Sequence, residues 1–207
     1  MKKNKSILIL FLIFFSFNPL KLFADDQSVS EINENDFYIG DLSAPITIIE
    51  YASMSCGHCA NFHIDTLPII IDEYVNKGLI KIAFRDFPFN HPALMGSMLI
   101  SCLSNDIRLQ YSHALYKFQS NWVNSDSEKS KNELFKIMQI GGMNKKQFDK
   151  CLNDKDIENK ILIGIQDAQS EFNINSTPSF IINGKLIEGN KSIEFFRDYF
   201  EKIIDTE

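Results

Sequence analysis

Two cysteines lie three positions apart in the segment Cys56-Gly57-His58-Cys59, directly after an apolar stretch and at the start of a helical pattern. At the beginning of a helix, free main-chain N–H groups and a partial positive charge stabilise a thiolate relative to a thiol. We therefore expect Cys56 to have a lowered pKa and to be the nucleophile, with His58 as a further stabilising cation. Cys59, one turn deeper, is expected to keep its proton and to act as the resolving thiol. The spacing predicts thiol–disulfide exchange.

Other uses of a close cysteine pair fit the sequence less well. A structural disulfide between Cys56 and Cys59 would close only a very short loop. A zinc site would need further ligands, and no second Cys-x-x-Cys or paired histidine motif accompanies the first. Two thiolates can bind Cu(I), so a copper carrier is kept as an alternative. Exchange itself needs no cofactor and no metal.

Composition limits the class of protein. The chain has 207 residues with 21 Lys and Arg against 27 Asp and Glu, a formal charge of −6. This length fits one domain, or one domain with an insertion. A hydrophobic content of 44% excludes a wholly disordered chain. The acidic balance argues against a nucleic-acid partner, because no surplus of basic residues is present to neutralise phosphates.

Residues 1–24 have the organisation of a secretory signal peptide. Three lysines within the first five residues precede an apolar run at 6–17, and Ala24 provides a small residue for cleavage. The run is short for a membrane span, so an uncleaved anchor is the weaker alternative. Residues 25–36 are polar and acidic and are expected to form a mobile leader. We therefore expect an exported, periplasmic protein whose cysteines meet an oxidising environment.

Apolar patterning beyond residue 36 predicts an α/β protein. Strands are expected at 46–51 and 79–86, a helix kinked at Pro68 at 56–76, a helical block at 91–173, and a hairpin turning at Asn183-Gly184 before a last helix. The order indicates a core with a helical insertion after its second strand. We divide it into a first core part at 37–90, an inserted helical domain at 91–173 and a second core part at 174–207.

The segment from Glu50 to Cys59, together with Thr177-Pro178-Ser179-Phe180 more than a hundred residues later, resembles the DsbA family of thiol–disulfide oxidoreductases. The resemblance covers about residues 37–204. It implies a thioredoxin fold with an α-helical domain inserted after the second core strand. It also implies that Cys56 and Cys59 exchange with substrate and that a cis-proline loop at Pro178 faces Cys56, with Gly57 and Thr177 as supporting residues.

The resemblance further implies roles for two groups outside the motif. In the family an acid lies beneath the active site and assists proton movement at the resolving cysteine; here that acid is Glu50. The alternative for Glu50 is an ion pair with Lys81 or Arg85 of the next strand, and His63 is expected to be a structural histidine. Some members of this branch carry a second bridge, so we expect a structural disulfide between Cys102 and Cys151.

The function that these expectations describe is a periplasmic oxidase that introduces disulfides into unfolded exported proteins with free cysteines. By resemblance, a quinone-linked membrane oxidase would reoxidise it, and we expect it to act as a monomer. Two differences from the usual sequence of the family leave open whether the protein oxidises or reduces its substrates. Gly57 stands where the best-known oxidases have proline, and Thr177 precedes Pro178 where an apolar residue is common. A disulfide isomerase or reductase that is kept reduced is therefore the alternative.

Overall fold

The sheet is built around one strand whose side chains are nearly all buried. The computed structural model describes residues 31–205, so the expected signal peptide and residues 25–30 of the expected leader lie outside the described residues. The strands are β1 (Phe37–Ile39), β2 (Ile46–Ala52), β3 (Ile80–Asp86), β4 (Ser179–Ile182) and β5 (Lys185–Glu188). They are arranged in the order β1-β3-β2-β4-β5, with β2 and β3 parallel and all other pairs antiparallel.

Helices connect and cover this sheet. They are α1 (Gly57–Asn61), a π-helical segment (Phe62–Thr66), α2 (Leu67–Glu73), a 3₁₀ turn (Val75–Lys77), α3 (His91–Ser101), α4 (Asn105–Lys117), α5 (Gln119–Trp122), α6 (Ser127–Ile140), α7 (Lys145–Leu152), α8 (Lys155–Phe172) and α9 (Ile193–Ile204). Helices α3 to α8 all lie between β3 and β4 in the chain. The thioredoxin fold with an inserted helical domain is thus confirmed. None of the helices in residues 31–205 is long and apolar enough to cross a membrane.

The helix after the cysteine motif differs from the expected one. The sequence predicts one helix over 56–76 with a kink at Pro68, whereas the chain passes from α1 through the π-helical segment into α2. Pro68 lies at the start of α2, where a missing N–H costs little. The irregularity therefore precedes the proline, at Phe62–Thr66.

The segment before the sheet is more ordered than the expected leader. Arg85 donates hydrogen bonds to both carboxylate oxygens of Asp36, at 2.9 and 2.7 Å, and to the main-chain oxygen of Glu31 at 2.7 Å. Strand β1, which the apolar patterning does not predict, then pairs with β3. From residue 31 onward, the segment is tied to the edge of the sheet.

Two apolar cores share the helical segment that carries the cysteine motif. One core, on a face of the sheet, includes Phe62 together with Phe180 and Phe196. The other is the core of the helical domain, and it includes Cys59 together with Trp122. The first half of the motif helix therefore packs against the inserted domain, and the following half packs against the sheet.

A disulfide joins α7 to the end of α3 within the helical domain. Cys102 and Cys151 are bonded, with their Cα atoms 5.7 Å apart and a sequence separation of 49 residues. Cys151 is buried and Cys102 is partly exposed. The bond therefore closes a long loop around the core of the inserted domain.

Removing this bond with the double substitution Cys102→Ala and Cys151→Ala should lower the free energy of unfolding by about 4 kcal/mol. The physical reason is that the open chain regains the configurational entropy of a loop of this length. Chemical denaturation of both proteins measures the difference. A double variant as stable as the native protein, both measured with the Cys56–Cys59 pair in the same redox state, would contradict the prediction.

Candidate active site

Cys56 occupies the position that caps α1 and is held there by main-chain and side-chain contacts. Its backbone is extended, with φ −83° and ψ 119°, and its carbonyl oxygen accepts the N–H of Ala60 at 3.0 Å. The side-chain amide of Gln119, from the inserted domain, donates to the carbonyl oxygens of Met54 at 2.8 Å and of Cys56 at 3.1 Å. Gln119 thus fixes the backbone around the nucleophile from the opposite domain. No local pattern predicts this contact, because residues 56 and 119 are far apart in the chain.

The two thiols of the motif have opposite properties. The pKa of Cys56 is lowered to about 5, chiefly because the thiol of Cys59 donates a hydrogen bond to its sulfur; partial burial acts in the opposite direction. Main-chain N–H groups of Cys59 and His58, at the start of the helix, add to the lowering. Burial raises the pKa of Cys59 far above its ordinary value, and its hydrogen bond to Cys56 raises it further. At neutral pH, Cys56 is a thiolate and Cys59 is a thiol.

A loop from the second half of the fold faces Cys56. The peptide bond between Thr177 and Pro178 is cis, as the resemblance implied. The Cys56 sulfur lies 3.3 Å from the main-chain oxygen of Thr177, which accepts its proton in the thiol form. The buried hydroxyl of Thr177 has no hydrogen-bond partner among residues 31–205. Thr177 lowers the pKa of both thiols. Pro178 in turn accepts the N–H of Gly189 at 2.8 Å, which ties the loop to the end of β5.

Beneath the dithiol, Glu50 is paired with His63 and not with a lysine or arginine. Oε2 of Glu50 lies 3.0 Å from Nε2 of His63, and the exposed fractions of the two side chains are 0% and 4%. The expected alternative partners, Lys81 and Arg85, are elsewhere: Lys81 donates to the carbonyl oxygens of Leu42 and Ala44, and Arg85 donates to Asp36. The alternative expectation, an ion pair of Glu50 with Lys81 or Arg85, is therefore wrong.

The structure brings most of the sequence-predicted site residues into one place. Cys56, Cys59 and Thr177 are in direct contact, and Pro178 follows in the same loop. Gly57 and the ring of His58 are exposed beside them, so His58 acts on Cys56 through its main-chain N–H. The second cysteine pair is in the helical domain and has a structural position.

The dithiol provides two sulfur ligands for a metal, but further ligands are lacking nearby. Within residues 31–205 there is no group of three or more His, Cys, Asp or Glu side chains placed to hold a metal ion. Chemically, the arrangement suits a different reaction. A partly exposed thiolate can attack or be attacked, and a buried thiol next to it can release it from a mixed disulfide.

A thioredoxin fold that holds a partly exposed, low-pKa thiolate next to a buried resolving thiol defines the class of thiol–disulfide oxidoreductases. The family model described as Thioredoxin matches residues 32–203. The chain belongs to this family, and the resemblance to its DsbA members is confirmed by the comparisons that follow.

Relatives with assigned names agree with this class. A Rickettsia bellii protein named as a protein-disulfide oxidoreductase is 30% identical over 177 residues, covering 84% of this chain and 67% of the relative. Disulfide bond formation protein D of Bacillus subtilis is 22% identical over 179 residues, covering 79% of this chain and 75% of the relative. The aligned part spans between 63% and 67% of the lengths of the rickettsial relatives.

Solved structures of similar proteins support the same class. The crystal structure of Wolbachia pipientis alpha-DsbA1 superimposes with a TM-score of 0.77 at 29% identity, covering 84% of this chain and 94% of the other. The match extends through both the sheet and the inserted helices, because it includes nearly all of the residues described here.

Proposed function

We propose that this protein is a periplasmic dithiol oxidase that introduces disulfides into exported proteins. One observation carries the proposal: the pKa of Cys56 is lowered to about 5 whereas that of Cys59 is raised. A stabilised Cys56 thiolate stabilises the reduced protein, and a stabilised reduced form makes the Cys56–Cys59 disulfide a stronger oxidant. The names of the relatives, which refer to disulfide oxidoreduction and disulfide bond formation, support the same direction.

In the proposed reaction a substrate thiolate attacks Cys56 in the Cys56–Cys59 disulfide. The bond between the two sulfurs breaks, its electron pair goes to Cys59, and a mixed disulfide forms between the substrate and Cys56. A second substrate thiolate then attacks the substrate sulfur of that mixed disulfide, and Cys56 leaves as a thiolate. The substrate loses two electrons and gains a disulfide. We propose that a quinone-linked membrane oxidase removes the electrons from the reduced dithiol.

The surface around Cys56 supports an unfolded polypeptide as substrate. Phe89 and Phe118 expose 55% and 43% of their surface. Each precedes a residue that contacts the motif or the residue just before it: Asn90 donates to Ser55 at 3.0 Å, and Gln119 donates to the carbonyl oxygen of Cys56. Exposed aromatic rings on the segments that contact the active site favour apolar side chains, which an unfolded chain presents and a folded one buries.

The experiment that tests the proposal is the redox potential of the Cys56–Cys59 pair, measured by equilibration with glutathione, together with the rate of oxidation of a dithiol peptide. We expect a potential more positive than about −180 mV and rapid peptide oxidation by the oxidised protein. A potential near that of thioredoxin, about −270 mV, would contradict the oxidase and favour the reductase alternative. Tight copper binding without peptide oxidation would favour the carrier.

A further inference from the structure

The side chain of Gln119 has a polar atom, its amide oxygen, that the fold does not use. The amide nitrogen Nε2 donates to the carbonyl oxygen of Met54 at 2.8 Å and to that of Cys56 at 3.1 Å. Both partners are acceptors, so the nitrogen must face them and the oxygen must face away. Among residues 31–205, no group donates a hydrogen bond to Oε1 of Gln119. The two bonds of the nitrogen therefore fix the orientation of the amide and leave its oxygen free.

The free oxygen of Gln119 lies beside Gly57, the residue that directly follows the nucleophile. Gly57 is exposed, and Gln119 is partly exposed. A Cβ atom added to Gly57 would lie 4.0 Å from Oε1 of Gln119, which is ordinary van der Waals contact. Glycine has no such atom, so a molecule bound at Cys56 can approach Oε1 across residue 57.

An amide oxygen at this place suits the main chain of a bound polypeptide. A polypeptide held over Cys56 brings main-chain N–H groups against the protein, and an N–H that loses water without gaining an acceptor costs free energy. Every residue except proline has this N–H, so an acceptor for it serves substrates of many different sequences. The amide oxygen carries no net charge, whereas a carboxylate beside Cys56 would raise the pKa of that thiol.

The residue before Gln119 offers a contact for a substrate side chain. Phe118 directly precedes Gln119 and exposes 43% of its surface. An exposed aromatic ring favours apolar side chains, which an unfolded polypeptide presents. Adjacent residues of the inserted domain therefore offer an apolar contact for a side chain and a hydrogen-bond acceptor for the main chain.

We propose that Oε1 of Gln119 binds substrate by accepting a main-chain N–H of the polypeptide that is joined to Cys56 in the mixed disulfide, an inference that rests on the proposed function. The substrate sulfur is bonded to Cys56, whose carbonyl oxygen lies 3.1 Å from the same amide group of Gln119. The donated N–H therefore belongs to the substrate cysteine or to a residue next to it. Gln119 transfers no proton and no electron; it holds the substrate segment beside the nucleophile.

The experiment removes the substrate N–H and the protein acceptor separately and together. The probe is a dithiol peptide in which the N–H of one cysteine, or of a residue on either side of it, is replaced by N-methyl. With native protein, methylation at one of these positions should lower kcat/KM for peptide oxidation by about threefold to tenfold, the net value of one hydrogen bond. With Gln119→Met, which has no amide, methylation at that position should have no such effect. The matched control Gln139→Met, at an exposed glutamine of α6, should keep the native loss.

A second variant leaves Gln119 in place and covers its oxygen. Gly57→Pro puts ring atoms beside Oε1, and proline suits residue 57 because this is the first residue of α1. The loss on methylation should disappear in this variant too.

Three outcomes would decide against the acceptor or against the reaction itself. Native protein that tolerates N-methylation at every position would overturn the acceptor, and so would the full native loss in Gln119→Met or Gly57→Pro. Changes in redox potential do not affect this comparison, because each protein is measured against itself with two peptides. Native protein that fails to oxidise the unmethylated peptide would overturn the proposed function, and this inference with it.

Discussion

We expect Cys56→Ala to abolish the oxidation of a dithiol peptide, and Cys59→Ala to accumulate a stable mixed disulfide through Cys56. The reason is the division of properties between the two sulfurs. With a pKa of about 5, Cys56 is predominantly a thiolate at pH 7 and is partly exposed, so it forms the bond with substrate. Cys59 has an exposed fraction of 0%, so its sulfur reaches only Cys56. Without it, the mixed disulfide has no internal thiol to release it.

Mass spectrometry under non-reducing conditions measures this directly, with oxidised glutathione as the probe. Cys59→Ala should carry one glutathione, bound at Cys56, whereas Cys56→Ala should carry none. The double substitution at Cys102 and Cys151 serves as the matched control, because it removes two cysteines of the same chain and leaves the dithiol in place. A glutathione adduct on Cys59 in the Cys56→Ala variant would contradict the assignment.

The second large effect that we expect is on stability: the reduced protein should resist denaturant better than the oxidised one at pH 7. In the folded reduced state, the pKa of Cys56 is about 5, lowered chiefly by the hydrogen bond from Cys59, while in the unfolded chain it is near 9. A lowered pKa contributes stability that is complete above the unfolded value and is lost as the pH falls toward the folded value. At pH 7 the gain is about 1–2 kcal/mol, allowing for screening because Cys56 is partly exposed.

Denaturation curves of both redox forms between pH 5 and pH 8 test this expectation. The difference in stability should be largest at pH 8 and should shrink as the pH falls toward 5. Below pH 8 the thiol of Cys59 is largely protonated in both the folded and the unfolded reduced chain. The remaining titrating groups are the same in both redox forms, so most of their effect cancels in the difference. A difference that stays constant with pH, or an oxidised form that is the more stable one throughout, would show that the Cys56 thiolate does not control the redox balance.

Much of the active site could be predicted because its parts have local signatures. The strand before Cys56, the position of Cys56 at a helix start and the turn at Asn183-Gly184 each follow from residues adjacent in the chain. The position of Pro178 opposite the dithiol needed the resemblance, since no local pattern relates two segments more than a hundred residues apart. The contact of Gln119 with the motif could not be predicted for the same reason.

For Glu50, the alternation of side chains along the strands could have excluded the wrong partners. Side chains of adjacent parallel strands share a face in register, and Glu50 lies beside Phe84. Lys81 and Arg85 lie beside Thr47 and Tyr51, on the opposite face of the sheet. Strict alternation therefore excludes both cations as partners. Alternation does not predict His63 as the partner of Glu50, because the π-helical turn that places His63 arises from tertiary packing and not from a periodic pattern.

The shared helical segment makes the thiol of Cys59 a built-in probe of how the two halves of the molecule are joined. Its sulfur is hidden because Cys59 is packed in the core of the inserted domain, alongside residues such as Trp122, although it belongs to the thioredoxin part of the chain. Any state in which the helices separate from the sheet exposes a second thiol. The extent of chemical labelling at Cys59 in the reduced protein therefore measures the fraction of molecules in which the helices have separated from the sheet. This measurement does not depend on catalysis and needs no added reporter group.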